Sequence, residues 1–455
     1  MHDTLQPNES ASPSGLISAR DLDLDRFDDI TTQVQSWQTD EGTRVKFVHA
    51  PGLPMLDLIL SFDAGSALDD QHSGRAALTL YMLDEGVNGL DVSQFAERLE
   101  GLGAIVDKKI KLERAIVSVR TLTDKAVLEP VMALFTDLVA RPDFPAGALD
   151  KIKRQLLEHD AALRNQPQAR AHFETCKHLY RGHPYANSIS STPESIEALD
   201  VDALTTFHQR GYSANNLDLI LVGDVSRHEA ETLAQRISQA LPQGWAVQEP
   251  APLPQAASAT LHFDQAAAVS SVQLTLPLWL HPASPDYHAL ALASEVLGSG
   301  LDSRLMTALR QQQGLTYDIR SKLTCLKGGG MFVIHWNIAA TKVQASQALV
   351  CELLEHFIEQ GPTHEELQLA RQKLAGRLMQ DVARNQGLAE LLARDSHLGL
   401  PDDRLGTYLQ TLAGIDTEHV RAVVQYHFDL ARKLLVSVGP SADQQPLAQR
   451  DDNDQ

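Results

Sequence analysis

The chain has 455 residues, 59 acidic against 39 basic, and a formal net charge of −20. Hydrophobic residues are 43% and charged residues 22%, a balance that supports a sizeable core and excludes a chain disordered throughout. The acidity argues against nucleic acid or an anionic membrane as partner, and three scattered cysteines (Cys176, Cys325, Cys351) argue against a disulfide framework or a thiolate zinc site.

Residues 1–30 read as a polar tail rich in Asp, Ser and Pro. The tail has no basic region followed by an apolar one, so no secretory signal is expected. No apolar run reaches the length of a membrane span. The expected compartment is the cytoplasm, or the periplasm if the true start lies elsewhere.

Strands are expected at Val34–Trp37, Arg44–His49 and Leu56–Phe62, the last apolar at alternate positions and so buried on one face. A helix over Ala76–Leu83 follows, then one capped by Asp91 and Gln94 and closed near Gly101. Strands Ala104–Lys109 and Ala115–Leu122 lead to amphipathic helices at 124–140 and 146–164. Helices surround Ile196–His208, strand Leu217–Val222 closes the half, and a helix opens on the Ser226…Glu229 capping box. The stretch 241–258 holds four prolines and reads as a semi-extended connector.

The second half repeats the order. Strand Val272–Leu276 precedes helices at Pro285–Leu297 and Ser303–Gln313. A strand pair, Thr316–Leu323 and Met331–Ile338, leads to a helix at 342–360 and another capped by Thr363…Glu366. Leu434–Val438 is the final strand, matching Leu217–Val222. Strands grouped with runs of helices indicate α+β rather than βαβ alternation. The expectation is two homologous α+β domains, 31–240 and 259–445, each a mainly antiparallel sheet with helices packed on it, with a short tail at 446–455.

Familiar chemistry is absent: no GxxxxGK[ST], no GxSxG and no HExxH. The Gly298-Ser299-Gly300 cluster follows a helix pattern and makes a poor phosphate loop. His364-Glu365-Glu366 reads as the acidic first turn of a capped helix, and His183-Pro184-Tyr185 reads as a turn.

The segment 58–86, LILSFDAGSALDDQHSGRAALTLYMLDEG, resembles the metal-site segment of the pitrilysin/insulinase family of metallopeptidases. There an AGS turn leads into a helix carrying the inverted zinc motif H-x-x-E-H. Two histidines at i and i+4 share a helix face to bind zinc, and the Glu polarises the metal-bound water. Aligning Gly74 and Met82-Leu83 puts Ala77, Leu80 and Tyr81 at the motif positions. Both histidines and the base are missing. The family's third ligand, a Glu on a later helix, maps onto Glu158, which alone reads as a plain helix carboxylate.

Two further stretches, 183–224 and LGSGLDSRLMTALRQQQGLTYDIRS, are similar to later parts of the same family. In the second, the family's Arg and Tyr, seven positions apart in an LR…GxxY context, map onto Arg310 and Tyr317. A permanent planar cation and a neutral phenol suit gripping a peptide carbonyl and the oxyanion formed from it.

The zinc half of the machinery is gone and the Arg/Tyr half remains. The resemblance therefore implies the non-zinc, clamshell-like subunit of a bacterial heterodimeric peptidase, inactive alone. It would hold no cofactor itself and would pair with a homologous zinc-bearing subunit on peptide or unfolded-protein substrates. An acidic chamber, which net charge alone does not locate, would favour basic or unfolded peptides. The alternative is a catalytically dead scaffold or peptide-binding subunit of a larger complex. No nucleophile–base pair supports a self-sufficient hydrolase.

Overall fold

The computed structural model describes residues 30–70, 72–187, 191–244 and 250–447. Nearly all of the expected tails, and the middle of the expected connector, lie outside the described residues. Among the described residues no helix is long and apolar enough to cross a membrane.

In chain order the first half holds strands β1 (Gln35–Gln38), β2 (Arg44–His49) and β3 (Met55–Phe62), then helix α1 (Arg75–Met82). A small ribbon, β4 (Gly86–Val87) and β5 (Leu90–Asp91), precedes α2 (Val92–Gly101), β6 (Ile105–Ile110) and β7 (Ala115–Leu122). Helices α3 (Lys125–Ala140), α4 (Ala146–Arg164), α5 (Pro167–Leu179), α6 (Pro193–Glu197) and α7 (Val201–Gly211) follow. Strand β8 (Leu217–Gly223) and helix α8 (Arg227–Ala240) complete it.

The second half holds β9 (Ala259–Asp264), β10 (Ser270–Leu278), α9 (Asp286–Gly298) and α10 (Arg304–Met306), which widens into a π-helical segment at Thr307–Gln312. Strands β11 (Ile319–Leu326) and β12 (Gly329–Ile338) lead to α11 (Val343–Gln360), α12 (His364–Val382) and α13 (Asn385–His397). Helices α14 (Arg404–Gly414) and α15 (Thr417–His427) precede the last strand, β13 (Leu434–Gly439).

The first sheet runs β1-β2-β8-β3-β7-β6 and the second β9-β13-β10-β12-β11. Apart from the extra edge strand β1, the orders coincide. Each sheet has one parallel pair, β2 with β8 and β9 with β13, among antiparallel neighbours. Helices α4 and α5 have 19 and 13 residues, and so do α12 and α13, so the duplication extends to the helices after the sheet. This is the α+β duplication expected from the sequence.

Strand β3 departs from expectation in one respect: it is buried on both faces, not one. The cause is an exchange of helices. Helix α13, from the second half, packs on β8 and β3 of the first sheet, while α5 packs on β10 and β13 of the second. Both faces of these central strands are thus covered, so they read as nearly continuous apolar runs. Helix α5 itself starts on Pro167 at its first turn, where the missing N–H costs nothing.

The expected connector is tied down where described. Leu253 is buried in an apolar cluster with Ala171 and Met331, and the carbonyl of Ala251 lies 2.9 Å from Nε2 of His183.

Candidate functional site

Both sheets contribute to one site, and the AGS turn begins it. The backbone N–H of Ser66 donates to the carbonyl of Lys111 (3.1 Å) and that of Ala67 to Leu112 (2.7 Å), laying the turn against the β6–β7 hairpin. A Cβ on Gly65 would land on the backbone of Arg114, so close approach is what requires glycine there. Gly74, at φ 95°, opens α1. The Asp69 carboxylate accepts from Gly74 N and Ala76 N, each at 2.7 Å, and so caps this helix. Burial pushes the Asp69 carboxyl up to about 7, against the pull of those two bonds.

Helix α1 presents Ala77 and Tyr81 to a cavity of about 530 Å³ between the two sheets. Leu80 faces the other way and is 0% exposed in the first apolar core. These side chains do not fit zinc: alanine and leucine offer no lone pair, and a single phenol does not make a catalytic site. Glu158 lies exposed on α4 and does not line the cavity. Asp160, two residues on, does; it accepts from the Ser191 backbone (3.1 Å) and hydroxyl. Burial raises the Asp160 carboxyl, and it raises the Tyr81 phenol, with Asp160 adding to it. Among the described residues no group of three or more His, Cys, Asp or Glu is arranged to hold a metal ion.

A buried polar network closes one wall of the cavity. His397, at the end of α13, places Nδ1 2.7 Å from Asp63 Oδ1 and Nε2 3.0 Å from Glu113 Oε2. Lys327 reaches Asp63 Oδ2 at 2.7 Å, and its backbone N–H donates to Glu113 at 3.0 Å. The Tyr185 hydroxyl donates to Glu113 and accepts from Gly328 N at 3.1 Å. Burial alone would raise both carboxyls. The hydrogen bond and charge of His397 outweigh it, helped by Lys327 at Asp63 and Tyr185 at Glu113, and hold Asp63 down at about 2 and Glu113 below its ordinary value.

Sequence reading missed this network. Asp63 stands just before the AGS turn and Tyr185 in the HPY tripeptide, so two members lay inside quoted motifs. Glu113, Lys327 and His397 belong to none; only the fold brings them there.

Arg310 and Tyr317 lie elsewhere. Arg310 is exposed in the π-helical segment, and Tyr317, between that segment and β11, is 90% exposed. Neither lines the cavity. Nor does either side chain hydrogen-bond or ion-pair with another described residue. The structure therefore does not bring the Arg/Tyr pair together with Ala77 and Tyr81 in this chain's own cavity.

A family model described as peptidase M16 inactive domain matches residues 198–374. A Helicobacter pylori protein named "Non-peptidase homolog YmxG" is 26% identical over 384 residues, 83% of this chain and 87% of its own. An "Uncharacterized zinc protease" of Rickettsia bellii is 22% identical over 317 residues, 67% of this chain and 73% of its own. Among solved structures, a peptidase M16 inactive domain from Pseudomonas fluorescens superposes with TM-score 0.88 at 34% identity, covering 91% of this chain and 100% of that one. A Helicobacter pylori protease superposes with TM-score 0.83 at 19% identity, covering 90% and 100%.

Proposed function

Because this chain belongs to the peptidase M16 family, the pitrilysin/insulinase family of its motifs, we propose that it is the non-zinc subunit of a two-chain metallopeptidase. The observation that carries the reading is the contrast between its two motif sites. Ala77, Leu80 and Tyr81 offer no metal-binding set, while Arg310 and Tyr317 stand exposed with no partner among the described residues. At 90% exposure, the Tyr317 hydroxyl is free to meet a partner chain. Presented to a homologous zinc-bearing subunit, Tyr317 donates to the oxyanion forming on the scissile carbonyl, and Arg310 grips a neighbouring carbonyl. The two sheets also end in strands, β6 and β11, whose outer edges are unpaired among the described strands. Both contribute residues to the cavity, so an extended peptide can be added to either.

The test is reconstitution. Mixing this chain with a zinc-bearing M16 homologue from the same cell should give a complex stable to gel filtration and peptidase activity that neither chain has alone. Full activity of the zinc homologue by itself, or failure of the two to co-elute, overturns the reading.

A second reading, a peptide-binding or scaffolding subunit without a peptidase role, is favoured by the name of the Helicobacter pylori relative, a non-peptidase homologue. Under it, Tyr317 and Arg310 can be replaced without consequence.

A further inference from the structure

We propose that the cavity between the two sheets is an anion-accepting subsite that takes a carboxylate of an extended peptide, despite the chain's net charge of −20. This rests on the peptide-processing reading for the ligand's being a peptide, but not for its charge. It also runs counter to an acidic chamber favouring basic peptides.

Four cationic side chains line the cavity: Lys111 and Arg114 from the β6–β7 hairpin, Lys322 from β11 and Arg394 from α13. Three carboxylates line it too, but all are committed. Asp69 caps α1, Asp160 holds Ser191, and Glu113 is bound by His397, Tyr185 and the Lys327 backbone. Of the cations, Lys111 and Lys322 are not, and Arg114 and Arg394 are committed in part. Lys111 and Lys322 are exposed at the rim with no ion pair or side-chain hydrogen bond among the described residues. Arg114 makes one side-chain bond among the described residues, from Nη1 to the Ala393 carbonyl at 3.1 Å, and lies in the field of Asp218, Glu113 and Asp63, so its guanidinium is only partly free. Arg394 shares Asp395 with Arg404, so one carboxylate answers two guanidinium groups.

Two unpaired ammonium groups at the rim and a partly free guanidinium thus face a concave, partly apolar space. Such a space strengthens charge attraction relative to open solvent. The planar fork of Arg114 matches a carboxylate. Leu112, Leu156, Leu163 and Leu326 line the same cavity, so an apolar residue beside the acid has a place to go. Burial, which raises the carboxyls of Asp69 and Asp160, moves the balance further in the same direction.

The carboxylate can come from a Glu or Asp side chain or from a peptide C-terminus. Isothermal titration of the full chain separates them with four octapeptides of otherwise equal sequence. Three are blocked at both ends and carry two Glu, two Gln or two Lys; the fourth carries Gln and has a free C-terminal carboxylate. The blocked Glu peptide should bind about tenfold tighter than the Gln and Lys peptides and weaken as salt is raised. Lys111→Gln with Lys322→Gln, both at exposed positions, should abolish that preference while leaving the melting temperature unchanged. Tighter binding of the free C-terminal peptide alone assigns the subsite to a chain end. Equal binding of all four, preference for Lys, no binding at millimolar peptide, or a Glu preference that survives the double variant overturns the proposal. A reconstituted pair that cleaves peptides without regard to acidic residues removes this inference and leaves the two-chain reading standing.

Discussion

His397 and Asp63 lie 334 residues apart in sequence and share a 2.7 Å hydrogen bond between Nδ1 and Oδ1, with the histidine side chain only 3% exposed. Glu113 on the other ring nitrogen makes His397 a bridge between the last turn of α13 and two points on the first sheet. With both carboxylates ionised, each ring nitrogen must act as a donor. Removing the ring leaves two buried carboxylates facing each other's field. His397→Ala is expected to cost about 3 kcal/mol or more of stability, read as a fall in the urea midpoint. A loss under about 1 kcal/mol would show that the bridge is not what joins these elements.

Acid should reveal the same bridge. Asp63 is held at about 2, below its ordinary 3.8, so its stabilisation is complete above about pH 4 and is lost as pH falls through 2. Asp69 acts in the opposite sense. Its carboxyl is raised to about 7, so its penalty is full above pH 7 and is relieved as pH falls toward 4. Burial holds His208, His288 and His335 near 4, so they pull the whole-chain curve down as pH falls from about 6.5. The two aspartates are therefore read as differences between variants. The urea stability of the parent chain relative to Asp69→Asn should rise as pH falls from 7 toward 4, and its loss between pH 4 and 2 should shrink in His397→Ala.

Tyr317→Phe should lower the partner-dependent kcat about 10²–10³-fold, as expected for a lost oxyanion donor. Arg310→Ala should act more on KM, and Arg310→Lys should not restore it, because a point charge does not reproduce the planar fork. Both positions are exposed, so neither change should move stability by more than about 0.5 kcal/mol. Steady-state kinetics of the assembled pair, with complex mass checked, decides this. Unchanged kinetics in both variants would favour the scaffolding reading.

Restoring the inverted motif on paper should fail in practice. The triple change Ala77→His, Leu80→Glu, Tyr81→His puts a carboxylate where Leu80 is fully buried in the core. It also leaves Glu158 on the exposed side of α4. A loss of about 3 kcal/mol or more is expected, with far less than one zinc per chain retained after dialysis. A folded variant holding one zinc per chain would show that α1 still sits at metal-binding geometry.

The sequence revealed the repeated order of elements because each strand and helix carried its own local signal. The Asp91/Gln94, Ser226/Glu229 and Thr363/Glu366 capping boxes all form as read. It did not reveal α5 and α13. Both are covered by the opposite half, so their apolar faces answer to a sheet far away in sequence. The strand before Leu323 was expected from Thr316 but begins at Ile319, because Thr316 turns the chain instead, its Oγ1 accepting from the Asp318 backbone N–H at 3.2 Å. Motif alignment alone singled out Ala77 and Tyr81, which the fold turns toward the cavity. Lys327 and His397 could not be found that way, since no local spacing relates them to Asp63.

The exchange of α5 and α13 makes the duplicated chain behave like a swapped dimer whose two copies have been fused. Each repeat lends a 13-residue helix to its sibling's sheet and borrows one back. A fragment ending before α13 would leave β3 and β8 bare on one face, inviting aggregation. The two fragments expressed together should instead find each other and fold as a nicked whole. A mutation on the lent helix of one repeat is therefore felt in the sheet of the other.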